Sequence, residues 1–248
     1  ENNLTKNLLE KYNILGFDML RKDSLIKVDG TASYAMDIDL DDMVYAMVER
    51  PSSFGAKYIS SNLLEIKKQS GIIDVIIIPR GVAIIGKNTW SVIKAKKNLK
   101  VNWEKKKPLN NDSKVYLDYM EKLVLEKGDV VKKKGKPKNL SKKGNNLFQA
   151  QYHLPFQAHA AMEPCNCVVS IKNNFCEIWA GTQNPKNAID RASKITGIKK
   201  ENIKINVTFL GGGFGRKSFN DFIDEGIYIS QKIKKPTKLI WDREDDTK

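Results

Sequence analysis

The stretch FLGGGFGRKSF, residues 209–219, places four glycines within five positions, Gly211, Gly212, Gly213 and Gly215, ahead of the cations Arg216 and Lys217. Two phosphate-binding motifs use glycines in this way. A phosphate loop requires G-x-x-x-x-G-K-[ST], whose backbone N–H groups wrap the anion. Lys217 and Ser218 supply its ending, but Arg216 stands where the last glycine is needed. The dinucleotide fingerprint G-x-G-x-x-G fits Gly211 and Gly213 and also fails at Arg216. A plain strand-to-helix turn uses glycine for positive φ, yet it seldom needs four of them. The composition points instead to a bare backbone brought close to a ligand.

Other residue types with chemical potential are fewer. Cys165, Cys167 and Cys176 are the three cysteines, and His153 and His159 the two histidines. The C-x-C pair in EPCNC lacks the C-x2-4-C spacing of a structural zinc site, so the expectation is buried, reduced thiols. His159 and Glu163, in HAAMEP, suggest a hydrogen-bonded pair. Arg216 and Lys217 read as solvated cations. Asp221 and Asp224 fall where a helix would start and suit its positive end.

The elements that must carry these residues can be read from periodicity. NIKINVTFL alternates through Ile203, Ile205, Val207 and Phe209 as a strand leading into the glycine loop, and NDFIDEGIYISQKI reads as the helix after it. PKNAIDRASKITG is a helix with Pro185 near its start and Gly197 at its end. CVVSI and CEIWAG form a hairpin turning at Asn173 and Asn174; LFQAQYHLPF and TKLIW are further strands. Upstream, TASYAMDIDL alternates as a half-buried strand, with MVYAMVER beside it. IIDVIIIP and GVAIIG are buried strands, and LKVNWE is another. SSNLLEIKKQSG is a short helix opened by serine, NTWSVIKAKKNL a helix capped by Thr89, and SKVYLDYMEKLVLEKG an amphipathic helix stopped by Gly128. Leu4, Leu8, Leu9 and Tyr12 give a helical pattern at the start. The expected class is α+β. The divisions are a leading segment at 1–19, a module at 20–104, a helix and lysine-rich linker at 105–146, and a second unit at 147–248.

A chain of 248 residues with 41% hydrophobic residues can bury a sizeable core. No apolar run approaches the roughly 20 residues of a membrane span. No basic and apolar leader opens the chain; it begins at Glu1, so any export signal is expected upstream. The net charge of +14 raises nucleic acid as a partner. The densest basic run, KGDVVKKKGKPKNLSKKG at 127–144, has no aromatic residue to stack on a base. It reads as a solvated linker, and no specific nucleic-acid binding is expected.

HAAMEPCNC, WAGTQNP, FLGGGFGRK and KLIWDREDD occur in an order and spacing that resemble the large subunits of the xanthine dehydrogenase and aldehyde oxidase family, the molybdenum hydroxylases. The branch most resembled is the beta subunit of isoquinoline 1-oxidoreductase, where arginine commonly follows GGGFG. RKDSLIKVDGTASYAMDIDL and RGVAIIGKNTWSVIKAKKNLKVNWE resemble that family's α/β hammerhead domain. The fold implied is the hammerhead followed by the first part of a molybdopterin-binding α+β domain. The resemblance implies a molybdopterin cofactor, hydroxylation of an N-heterocycle or oxidation of an aldehyde with water as oxygen source, and electrons leaving through a small 2Fe-2S iron–sulfur subunit.

Residue by residue, Gln183 matches the glutamine whose amide faces a molybdenum oxygen ligand. Gly212, Gly213, Phe214 and Gly215 match the loop whose amides approach the cofactor. Ser218 stands where xanthine dehydrogenases carry a substrate-contacting glutamate, so purine recognition of that kind is not implied. The family's catalytic glutamate lies near the far end of a longer subunit and has no match here. The chain is therefore expected to be a fragment, inactive alone and without bound cofactor. The rival expectation is a non-catalytic, basic interaction or assembly module.

Overall fold

The computed structural model describes residues 14, 16–52, 55–104, 112–135, 148 and 150–247. The N-terminal helical pattern, residues 105–111 of the linker and the second half of the lysine-rich run, 136–144, lie outside them. The described chain runs α1 (Ser24–Val28), β1 (Val44–Glu49), β2 (Tyr58–Ser61), α2 (Leu63–Lys67), β3 (Ile72–Ile78), β4 (Gly81–Gly86), α3 (Thr89–Asn98) and β5 (Val101–Trp103). It continues with α4 (Ser113–Leu125), β6 (Asn166–Lys172), β7 (Phe175–Ala180), α5 (Pro185–Thr196), β8 (Ile203–Val207), α6 (Asp221–Ile233), β9 (Thr237–Ile240) and α7 (Arg243–Thr247). Helices with a mixed sheet make the fold α+β.

Seven strands form one sheet in the order β3-β4-β1-β9-β6-β7-β8, and β2 pairs with β5 apart from it. β9 is its keystone: it lies parallel to β1, with Val44 opposite Thr237, and antiparallel to β6, with Asn166 opposite Ile240. Strands from both halves of the sequence therefore share one ladder. β4 is buried along its whole length, which is why GVAIIG reads as an unbroken apolar run. Ala83 and Ile85 face the core formed with α5 and α6, whereas Val82 and Ile84 face α3. Gly226 lets α6 lie close on β6, since a Cβ there would sit 2.7 Å from Cys167 Sγ.

Several local readings hold. Asn173 and Asn174 turn β6 into β7 with φ of 49° and 60°, the left-handed pair that a two-residue hairpin requires. α5 starts at Pro185 and ends on Gly197 at φ 75°, the helix-ending conformation glycine adopts most readily.

Others are corrected. TASYAMDIDL is not a strand. Tyr34 makes an isolated bridge to Phe209, and Ala35–Asp37 winds into a 3-10 turn. The cause is Asp37, whose carboxylate accepts the Tyr34 N–H at 2.8 Å, a local bond that competes with a ladder. The described part of LFQAQYHLPF forms no strand either. Phe148, Tyr152, Leu154 and Phe156 are exposed, and among the described residues no strand pairs with this stretch. Asn88, not Thr89, caps α3, its side-chain oxygen accepting the Ser91 N–H at 2.9 Å. α2 begins after Asn62 and not at a serine, because Ser60 and Ser61 belong to β2. α4 ends at Leu125, before Gly128.

Candidate functional site

β8 and α6 are joined by residues 208–220, and the glycine loop occupies this crossing. Its backbone is unusual in conformation. Gly212 and Gly215 have φ of 103° and 90°, and Phe214, which has a Cβ, is held at 50°. A left-handed non-glycine residue costs about 1–2 kcal/mol, so the surrounding contacts impose this shape. The Arg216 N–H donates to the Gly213 carbonyl at 2.8 Å, closing the turn. The amides of Gly212, Gly213 and Phe214 donate to no other described residue. Consecutive free N–H groups in such a turn form a concavity suited to an anion. Phe214 is 72% exposed, so its ring is not part of the core.

Gln183 stands across the loop, in the connection between β7 and α5. Its side-chain oxygen accepts the Gly215 N–H at 3.1 Å. That bond fixes the amide orientation and leaves Nε2 as a donor without a described partner. Its backbone N–H donates to the Lys217 carbonyl at 3.0 Å. A Cβ on Gly213 would lie 2.7 Å from Gln183 Oε1, so glycine is what lets the two segments approach. Thr182 Oγ1 bonds Asn220 Oδ1 at 2.6 Å, and the Asn220 amide donates to the Asn184 carbonyl at 2.9 Å. These bonds tie the start of α5 to the start of α6. The structure thus brings Gln183, Gly212, Gly213, Phe214 and Gly215 together.

The cations after the loop are not solvated. Lys217 is 1% exposed and pairs with Glu163 at 2.7 Å. Arg216 turns inward, with two nitrogens on Asp221 at 2.9 and 3.1 Å and its guanidinium 4.9 Å from the Trp241 ring centroid. Burial works against the Arg216 charge, but the Asp221 carboxylate raises the guanidinium above its ordinary value. Glu163 bonds Lys217, the Gly211 amide and Asn166, and not His159, which is exposed. The expected His159–Glu163 pair is replaced because the buried ammonium is the stronger partner. Sequence reading placed Lys217 in solvent, and nothing in its neighbourhood signals burial, since Phe219 two positions on is itself exposed. Asp221 and Asp224 do lie in the first turn of α6, but each is also held by arginine: Asp221 by Arg216 and Arg80, Asp224 by Arg191.

The three cysteines are buried in one apolar cluster. Burial pushes Cys165 and Cys176 up to about 12. Among the described residues no group of three His, Cys, Asp or Glu side chains is placed to hold a metal ion, and no helix is long and apolar enough to cross a membrane. A donor set of backbone amides and one carboxamide suits the oxygens of an anionic cofactor rather than direct coordination of a metal.

The family model described as "Molybdopterin cofactor-binding domain" matches residues 121–248. Over 249 residues the chain is 32% identical to the beta subunit of isoquinoline 1-oxidoreductase from Brevundimonas diminuta, covering 96% of this chain and 32% of that protein. It is 24% identical to a nicotinate dehydrogenase subunit from Pseudomonas putida, covering 96% of this chain and 21% of that protein. The crystal structure of quinoline 2-oxidoreductase from Pseudomonas putida 86 superposes with a TM-score of 0.68 at 16% identity, covering 93% of this chain and 35% of that one. The chain thus spans about a third or less of the length of these relatives.

Proposed function

The chain belongs to the molybdopterin cofactor-binding domain family, and from that premise we propose that it is part of a larger molybdopterin-dependent oxidoreductase subunit whose glycine loop and Gln183 hold the cofactor. One observation carries the reading: among the described residues the amides of Gly212, Gly213 and Phe214 have no acceptor, and they lie opposite an oriented Gln183 carboxamide. When bound, the cofactor supplies oxidation of an N-heterocycle or an aldehyde with water as the oxygen source. The chain's own residues bind and orient it. The loop amides and Gln183 Nε2 donate to anionic oxygens, with glycines keeping side chains out of the way. Two relatives with heterocyclic substrates in their names support the substrate class.

In this reading no residue of the chain is the catalytic base; a glutamate from the rest of the subunit takes that role, and a small 2Fe-2S subunit receives the electrons. The segments 20–104 and 147–248 act as one body through the shared sheet, with the hammerhead supporting the cofactor unit. A basic interaction module finds no support at the loop, because Arg216 and Lys217 are engaged in internal ion pairs.

The test uses the full-length subunit co-expressed with its neighbouring small subunit in a host that makes the cofactor. Molybdenum is measured by plasma mass spectrometry alongside oxidation of heterocycles and aldehydes, in wild type and Gln183→Ala. Near-stoichiometric metal in wild type with activity lost in the variant is expected. A well-folded wild-type complex without molybdenum would end the reading.

A further inference from the structure

Glu163 and Lys217 do not face the cofactor in this reading, yet they connect everything beneath the glycine loop. One carboxylate oxygen, Glu163 Oε2, accepts from Lys217 Nζ at 2.7 Å and from the Gly211 N–H at 3.0 Å. The other, Oε1, accepts from Asn166 Nδ2 at 3.0 Å. The Glu163 N–H donates in turn to the Gly211 carbonyl at 2.9 Å. One residue therefore grips both polar groups of Gly211, at a distance that leaves no space: a Cβ there would lie 2.4 Å from Glu163 Cβ.

The far end of the loop is held through the same oxygen. The Lys217 side chain reaches Glu163, while its carbonyl accepts from the Gln183 N–H at 3.0 Å and from Thr182 Oγ1 at 3.2 Å. A single carboxylate thus bridges the loop's first residue and its last cation, and that cation's backbone is locked to Gln183. A buried pair of this kind is weak evidence for stability; conformational specificity is its better-suited role.

We infer that Glu163 and Lys217 are positioning residues: their ion pair closes the loop into an arch that keeps the amides of Gly212, Gly213 and Phe214 turned toward the cofactor. The inference rests on the cofactor reading above and assigns Glu163 and Lys217 no contact with the cofactor.

The test again uses the full-length complex. Glu163→Leu/Lys217→Met removes both charges together, because deleting one alone would strand a buried ion. Glu163→Gln/Lys217→Met keeps an acceptor for Gly211 and is the conservative partner. Hydrogen–deuterium exchange of residues 210–217 is read beside molybdenum content and the thermal midpoint. In the leucine variant, exchange within residues 210–217 rises, about tenfold at Gly211, with β6 and α6 unchanged, as expected for losing that amide's hydrogen bond to a charged group. Bound molybdenum falls by a similar factor, and the glutamine variant is intermediate in both.

Wild-type loop exchange and metal in the leucine variant would overturn the inference, as would faster loop exchange with full metal. If the leucine variant does not fold, the glutamine variant decides. A rise confined to the loop with metal lost supports the pair's role, and wild-type behaviour overturns it. Metal-free wild type refutes the cofactor reading instead, a result distinct from every variant outcome.

Discussion

The Arg50 guanidinium lies over the Trp241 ring, 3.7 Å from its centroid, and Glu225 grips both. Arg50 Nε donates to Glu225 Oε1 at 2.8 Å, and Trp241 Nε1 donates to Glu225 Oε2 at 3.0 Å. Arg50 follows β1 and Trp241 follows β9, so the contact locks the two neighbouring strands at one end. Burial opposes the Arg50 charge, but Glu225 raises its guanidinium above the ordinary value. Arg50→Met is therefore expected to cost about 3 kcal/mol, because Glu225 would be left buried with only Arg80 as a charged partner. Urea unfolding of the protein measures it. A loss below about 1 kcal/mol would mean that Arg80 and the Trp241 N–H together satisfy Glu225.

The loop glycines are expected to differ in kind. Gly211→Ala forces a Cβ to within 2.4 Å of Glu163 Cβ, a steric conflict of about 3 kcal/mol. Gly215→Ala meets nothing within 4 Å and pays only for its positive φ, about 1 kcal/mol. Thermal unfolding of both variants should rank them in that order. Equal losses would show that the loop relaxes around Gly211.

Gln183→Glu separates the two atoms of the carboxamide. The carboxylate still accepts the Gly215 N–H, so loop geometry and the thermal midpoint should stay near wild type, within about 0.5 kcal/mol. The Nε2 donor is gone and a negative charge faces the anion, so molybdenum content is expected to fall at least tenfold, a like-charge effect of more than about 1.4 kcal/mol. Retention of full metal would place the cofactor contact elsewhere.

The buried thiols give the protein an alkaline limit. Cys165 and Cys176 rise from 9.0 to about 12 on burial, so the folded state holds their protons more tightly than the unfolded state. Their contribution is complete below pH 9 and is lost as the pH climbs toward 12, with a slope of up to about 1.4 kcal/mol per pH unit for each thiol. The midpoint of urea unfolding should fall between pH 9 and pH 10.5. Cys165→Ala/Cys176→Ala should show a shallower fall. An unchanged slope in that variant would assign alkaline loss to other groups.

Where a local rule settles the backbone, the sequence is legible. Pro185 and Gly197 bracket α5, and the two asparagines at 173 and 174 dictate a hairpin whatever surrounds them. The glycine loop was legible as a bare backbone, because composition alone encodes that. Its supports were not. Glu163 and Lys217 are 54 positions apart, and no periodicity links a loop lysine to an acid on another segment. Residues 31–40 show the opposite failure: the alternation was real, but one Asp37 carboxylate bonded to the Tyr34 N–H outweighed it.

The position of β9 in the sheet has a consequence for the order of assembly. β3, β4 and β1 can pair early, since they follow one another closely in the chain. The other side of β1 waits for Thr237, about 190 residues after Val44. Closing so long a loop slows folding, and until it closes β1 offers an open edge to any neighbouring chain. On the ribosome, the middle of the described sheet stays unfinished, and β1 exposed to misassembly, until β9 has emerged.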